Sequence, residues 1–237
     1  SVRADDFQMP CHRQCFTVSG YYMTGTFHIV SFLKFGNETD MTDLLERGTI
    51  YMNPINKFRK IEDNNLRGDS YEGVSKVWNL PSGQFEIPSL NHKGNYVSMH
   101  LRESYENVLG NIYSLYCISS YGFETPNKFF IDERVKEFGS HFVFIKDLPE
   151  FFKRIKSHLT LLGYKFHDGF VEYYDKNKIN GRITVFQKPN DFEYQKEFRF
   201  YVDRDDILPL SFKIGSLKDI AEMFPSEFAS ELKLTQK

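Results

Sequence analysis

Three cysteines are too few for a disulfide framework in this chain, and their odd number suits a reducing compartment. Cys11-His12 and Cys15 begin a zinc-like spacing. A complete site would need two more ligands at matching intervals, and beyond His28 nothing supplies them. No apolar run approaches the roughly 18 residues that cross a bilayer, and the first residues lack the apolar core of a signal peptide. The expectation is a cytoplasmic protein with no membrane partner. Charge of one sign is also lacking: 30 basic and 32 acidic residues are interleaved, for a net charge of −2. No basic stripe is visible that would track duplex phosphates. There is no Gly-rich phosphate fingerprint, no P-loop and no nucleophile elbow.

Aromatic residues are abundant, with 24 Phe and 14 Tyr among 237 residues, and rings of this kind favour half-buried positions on strands. Polar, aperiodic residues 1–26 read as an N-terminal arm, and 27–237 as a single α+β domain. Phe27–Phe35 reads as a strand, followed by a short helix with Asp40 as cap and Gly48 as stop. Thr49–Met52 is a second strand. Residues 53–94 are irregular, with a hairpin or lid at Leu80–Asn95. Ile112–Ser120 is apolar at nearly every position and reads as a central strand. Asp132–Phe138 suggests helical turns and His141–Lys146 a strand. Pro149–Leu162 is the clearest helix, with Phe152, Ile155, Leu159 and Leu162 at helical spacing. Phe170–Tyr174, Ile183–Gln187, Tyr194–Val202 and Leu208–Ile214 read as strands, and Leu217–Phe224 as a short helix capped by Ser216. Short links between the late strands favour antiparallel pairing in an α+β fold, mostly antiparallel, with one long helix.

The segment Phe192–Phe200 (FEYQKEFRF) concentrates the chemistry. If Tyr194–Val202 is one strand, Gln195, Glu197, Arg199 and Tyr201 share a face and Phe198, Phe200 and Val202 share the other. An amide, a carboxylate and a guanidinium in a row either line a pocket or meet solvent as a weak ion pair. The spacing Gln195-x-Glu197 resembles the Q/E-x-E motif of the ADP-ribosyltransferase superfamily. Phe27-His28-Ile29 followed by Leu44-Leu45-Glu46-Arg47-Gly48 resembles the opening of DarT-like members, and Ser119-Ser120-Tyr121 resembles loosely the family's hydroxyl-bearing strand. That resemblance implies an ADP-ribosyltransferase-like fold, NAD as substrate and a macromolecular acceptor, in a toxin or phage-defence effector that a protein partner could neutralise. It implies Glu197 as the acid that stabilises an oxocarbenium ion, Gln195 as the residue that positions the acceptor, and His28, Ser119 and Arg199 as NAD contacts. Tyr51 is placed to stack on nicotinamide. Leu44–Gly73 (LLERGTIYMNPINKFRKIEDNNLRGDSYEG), the strand with Cys117, Val171–Tyr174 and Phe186–Phe200 (FQKPNDFEYQKEFRF) carry a second resemblance. Over roughly residues 27–215 the chain resembles an uncharacterised family of bacterial and phage-linked proteins, which implies a shared fold without an activity.

Two other classes stand beside the transferase. The loop LRGDSYEG brings Asp69 and Glu72, which with Glu197 could hold Mg²⁺ for a nuclease, Lys188 stabilising charge. Alternatively the charged loop (Arg59, Glu62, Asp63, Arg67) and the aromatic strands serve a non-catalytic binding protein.

Overall fold

A computed structural model describes residues 22–24, 27–58, 71–104, 109–119 and 130–233, with side chains from Val30 onward. The expected arm lies outside the described residues up to 21. Tyr22–Thr24 (β1) already pairs antiparallel with Phe27–Gly36 (β2). Helix α1 (Glu38–Arg47) is capped by Asn37, three residues before the expected cap, whose side-chain oxygen accepts from Asp40 N at 2.8 Å. Gly48 ends it at φ 63°, and a Cβ there would lie 2.0 Å from the Gly215 carbonyl oxygen, so position 48 admits only glycine.

β3 (Thr49–Pro54) continues through Asn53-Pro54 into the short helix α2 (Ile55–Phe58). The irregular stretch conceals a long hairpin. β4 (Val74–Leu80) pairs with β7 (Met99–Ser104), and beyond them β5 (Gly83–Ile87) pairs with β6 (His92–Tyr96), the hairpin expected at Leu80–Asn95.

β8 (Asn111–Ser119) and β9 (His141–Ile145) follow, separated by the 3-10 turn Glu133–Phe138. Helix α3 (Leu148–Leu161) starts at Asp147, whose carboxylate accepts from Glu150 N at 3.0 Å. It buries Leu148, Phe151, Phe152, Ile155 and Leu159. Leu162 falls on the cap and is exposed, a correction to the expected apolar stripe.

The later strands differ most from expectation. Phe170–Tyr174 divides into the end of β10 (Lys165–Phe170) and β11 (Glu172–Tyr174). In place of Ile183–Gln187 stand β12 (Gly181–Arg182) and β13 (Gln187–Pro189). β14 spans Glu197–Asp203 only, because Asn190–Gln195 winds into a 3-10 helix and Lys196 turns left-handed at φ 40°. β15 (Leu210–Lys213) is present. The expected helix Leu217–Phe224 is a turn leading into β16 (Ala221–Pro225), which pairs with β9. There the backbone donors of an edge strand outweigh a weak capping signal.

The main sheet runs β10-β14-β8-β2-β9-β16, antiparallel throughout, with β3 joined to β8 and β15 to β3. The fold is mixed α and β with several antiparallel sheets. Phe32, Tyr113, Leu115, Val143, Ile145, Phe198, Phe200 and Val202 line one face of the sheet, beneath α1 and α3. On the opposite face, one apolar cluster gathers around Leu33, Tyr116, Ile118 and Phe192 and another around Ile112, Phe186 and Tyr201. Among the described residues no helix is long and apolar enough to cross a membrane.

Candidate functional site in a split of the sheet

β8 shares one of its edges between two strands. Residues 116–119 pair with β2 and residues 111–112 with β3. Among the described residues no strand residue stands opposite Ser114 on that edge. Cys117 N donates to Lys196 O on the β14 side, so by the alternation of an antiparallel ladder Ser114 turns its carbonyl towards the split. Lys34 fills the missing rung: its Nζ donates to Ser114 O at 2.8 Å and sits 4.3 Å from the centroid of the Tyr113 ring.

The same stretch of β8 faces the charged row of β14, Ser114 lying opposite Arg199 and Tyr116 opposite Glu197. Arg199 uses all five of its N–H groups. It grips Glu72 as a fork, at 2.9 Å to Oε1 and 2.8 Å to Oε2. It also donates to both oxygens of Glu197 and to the carbonyl of Val185. Glu197 accepts in addition from Ser114 Oγ and from Lys188 Nζ, the latter at 2.9 Å. Gln195 Oε1 holds the same ammonium at 2.8 Å. Tyr173 Oη accepts from Glu197 N at 2.9 Å.

Two acids and two bases are thus interlocked at side-chain exposures of 1% for Arg199, 3% for Glu72, 5% for Glu197 and 6% for Lys188. Burial pushes the Glu197 carboxyl upward. The charges of Arg199 and Lys188, with hydrogen bonds from Arg199 and Ser114, outweigh it and hold the carboxyl well below the usual range. Burial disfavours the Arg199 cation, but the two carboxylates hold it protonated. Glu197 is therefore held as an anion at neutral pH. That state suits a fixed charge better than a proton-shuttling base.

A cavity of about 540 Å³ opens at the split and reaches this network. Its volume falls in the range of small-molecule pockets. Thr49, Tyr51 and Asn53 line it from β3, Lys34 and Gly36 from β2, and Lys188, Gln195, Glu197 and Arg199 form another part of the wall. Gly139 is needed beside it, since a Cβ there would stand 2.1 Å from the carbonyl of Gly36.

The structure brings four expected site residues to one cavity: Tyr51 (49% exposed), Gln195, Glu197 and Arg199. Gln195 arrives from the 3-10 helix, not the strand, because the left-handed Lys196 kinks the chain between them. Ser119 does not reach it. Ser119 is buried five residues along β8 from Ser114, roughly 16 Å at the rise of a strand. His28 lies in β2 next to Ile29, the partner of Ser119, at the end away from the cavity; its side chain is outside the described residues. Asp69, with Arg59, Glu62, Asp63 and Arg67, also lies outside them, as do Cys11 and Cys15. Glu72 does come to the site, but behind Arg199, which stands between it and Glu197. Among the described residues no three His, Cys, Asp or Glu side chains gather as a metal site. Cys117 is buried and its thiol is pushed up by burial, which suits packing and not reactivity.

Sequence reasoning passed over Ser114 and Lys34. Ser114 is a polar residue inside the apolar run IYSLYCIS, a signal visible in the sequence. Lys34 gave none, because its role depends on where β2 and β3 part. Set against protein-family models, curated proteins and solved structures, the chain matches none of them.

Proposed function

We propose that the cavity binds NAD and that the protein is an ADP-ribosyltransferase-like enzyme acting on a macromolecular acceptor. The observation that carries this is the meeting of Tyr51, Gln195 and Glu197, distant in sequence, around one cavity of ligand size. Glu197 supplies a carboxylate that stays ionised, which is what a developing oxocarbenium ion requires. Tyr51 offers an exposed ring for stacking on a planar base. The hydroxyl that orients Glu197 is that of Ser114, in place of Ser119. Gln195 acts through Lys188, holding the ammonium against Glu197, so its part is positioning.

The Mg²⁺ nuclease reading finds less support. Glu72 and Glu197 are neutralised by Arg199 and Lys188, and a divalent ion would have to displace a guanidinium that makes a bidentate pair. A non-catalytic binding role is favoured by one observation: every acceptor position of Glu197 is filled from within the chain.

Titration calorimetry with NAD and an assay of nicotinamide release separate these readings. Binding together with release, and weakening of binding by about tenfold in Tyr51→Ala, are expected from loss of a stacked ring worth about 1–1.5 kcal/mol. Binding without release would leave a binding protein. No binding of NAD to the folded wild-type chain would overturn the proposal.

A further inference from the structure

Outside the lining of the cavity, the long hairpin carries a relay that the proposed function does not use. Tyr71 Oη lies 3.1 Å from His100 Nε2, and His100 Nδ1 lies 2.6 Å from Asn79 Oδ1. Asn79 and His100 are directly opposed on β4 and β7. The amide of Asn79 has its orientation fixed, because its Nδ2 donates to the carbonyls of Lys176 at 2.9 Å and Ile179 at 2.7 Å. Its oxygen must then face the imidazole, so Nδ1 carries the proton and donates it. Nε2 is left as an acceptor, and the Tyr71 hydroxyl donates to it. This is the arrangement of a hydroxyl nucleophile, a base and an orienting group.

Two further features bear on the phenol. Its ring packs on the satellite core of Val74, Val77, Tyr174 and Ile183, which fixes its direction. The guanidinium of Arg102, two residues from His100 along β7, lies 4.7 Å from the ring centroid. A cation there attracts an anionic reactant to the ring.

We propose that Tyr71 is an activated nucleophile and a modification site that takes the transferred group from an anionic phosphoryl-type donor. In the step, Tyr71 Oη forms the bond to phosphorus and its proton passes to His100 Nε2. The leaving group departs with the electron pair of the bond that breaks. Asn79 holds the imidazolium in place, and Arg102 orients the donor's negative charge. The step uses no residue of the cavity and stands independently of the NAD reading.

The reactivity of the phenol is measured on the full chain with a carboxylate-bearing aryl sulfonyl fluoride, which replaces phosphorus by sulfur and loses fluoride. Labelled tyrosines are located by peptide mass mapping at neutral pH. Tyr71 is expected to be labelled at least about tenfold faster than Tyr51, although Tyr51 is 49% exposed. His100→Phe is expected to slow Tyr71 by about a hundredfold, the span of general-base assistance, and to leave Tyr51 unchanged. Arg102→Gln removes the preference for the anionic probe over a neutral one. Equal labelling of Tyr71 and Tyr51 in the wild-type chain overturns the proposal without recourse to any variant. So does an undiminished Tyr71 rate in a folded His100→Phe chain.

Discussion

On one face of β14, Phe198, Phe200 and Val202 are buried against Phe152 and Phe32, with rings meeting edge to face at 5.4 Å between Phe152 and Phe198. On the other, Glu197 and Arg199 are buried just as deeply among Glu72, Lys188, Ser114 and Gln195. The apolar face is tolerant in detail, since any ring of similar volume restores its contacts and the hydrophobic effect has no direction. The charged face is all or nothing. Each group is stable in the interior only while its partners are present, because a lone buried charge pays a desolvation cost of several kcal/mol. Adjacent residues of one strand therefore differ less in how much they contribute than in how they fail.

The comparison breaks most visibly at Arg199. Arg199→Leu strands Glu72 and Glu197 and is expected to lower stability by about 3–5 kcal/mol at neutral pH. Phe200→Ala is expected to cost a similar amount, about 3–5 kcal/mol, by opening a cavity. The two differ on repair. Replacing Glu72, Glu197, Arg199 and Lys188 together by Leu or Met should recover most of the first loss, which no polar substitution does for the second. Urea midpoints of the three chains test this, and a fourfold variant as unstable as Arg199→Leu would contradict it.

Acid sharpens the same contrast. Glu197 holds its proton less readily when folded than at its ordinary value of 4.5. Its contribution is thus complete above roughly pH 5 and is lost progressively as pH falls below that value towards the depressed one. The stability gap between wild type and Glu197→Gln should be widest at neutral pH and shrink on acidification. Urea unfolding between about pH 7 and pH 3 reads it. A gap that stays constant, or grows in acid, would show that the carboxylate is not held as an anion.

The smallest effect is expected at Lys196, the left-handed residue that lets Gln195 and Glu197 reach one site from two elements. Lys196→Gly should be neutral or stabilising by up to about 1 kcal/mol, since glycine adopts this conformation without the Cβ clash. A loss of several kcal/mol would mean that the half-buried Lys196 side chain, and not its backbone, holds the turn.

Much of the scaffold is legible in the chain. β2, β8, β9 and α3 stand close to where their periodicity puts them, because each has one long apolar face and recognisable ends. The late segment is legible only in part. The two-residue alternation from Tyr194 onward is real from Glu197, but nothing local distinguishes a continued strand from a 3-10 turn ended by a left-handed lysine. For β16, the capping signal at Ser216 was overridden by the unpaired edge of β9, a long-range partner that local sequence cannot reveal.

By itself the sequence determined which residues would be buried aromatic packing and that Glu197 and Arg199 would share the face opposite Phe198 and Phe200, because both follow from the alternation of a strand. Only the tertiary structure decided that this face meets neither solvent nor an open cleft alone. Glu72 comes from 127 residues away and Ser114 from 83 to complete the network, and β2 parts from β3 to leave the cavity beside it. Charge partners are chosen by proximity in space, and proximity is what a linear pattern of residues does not record.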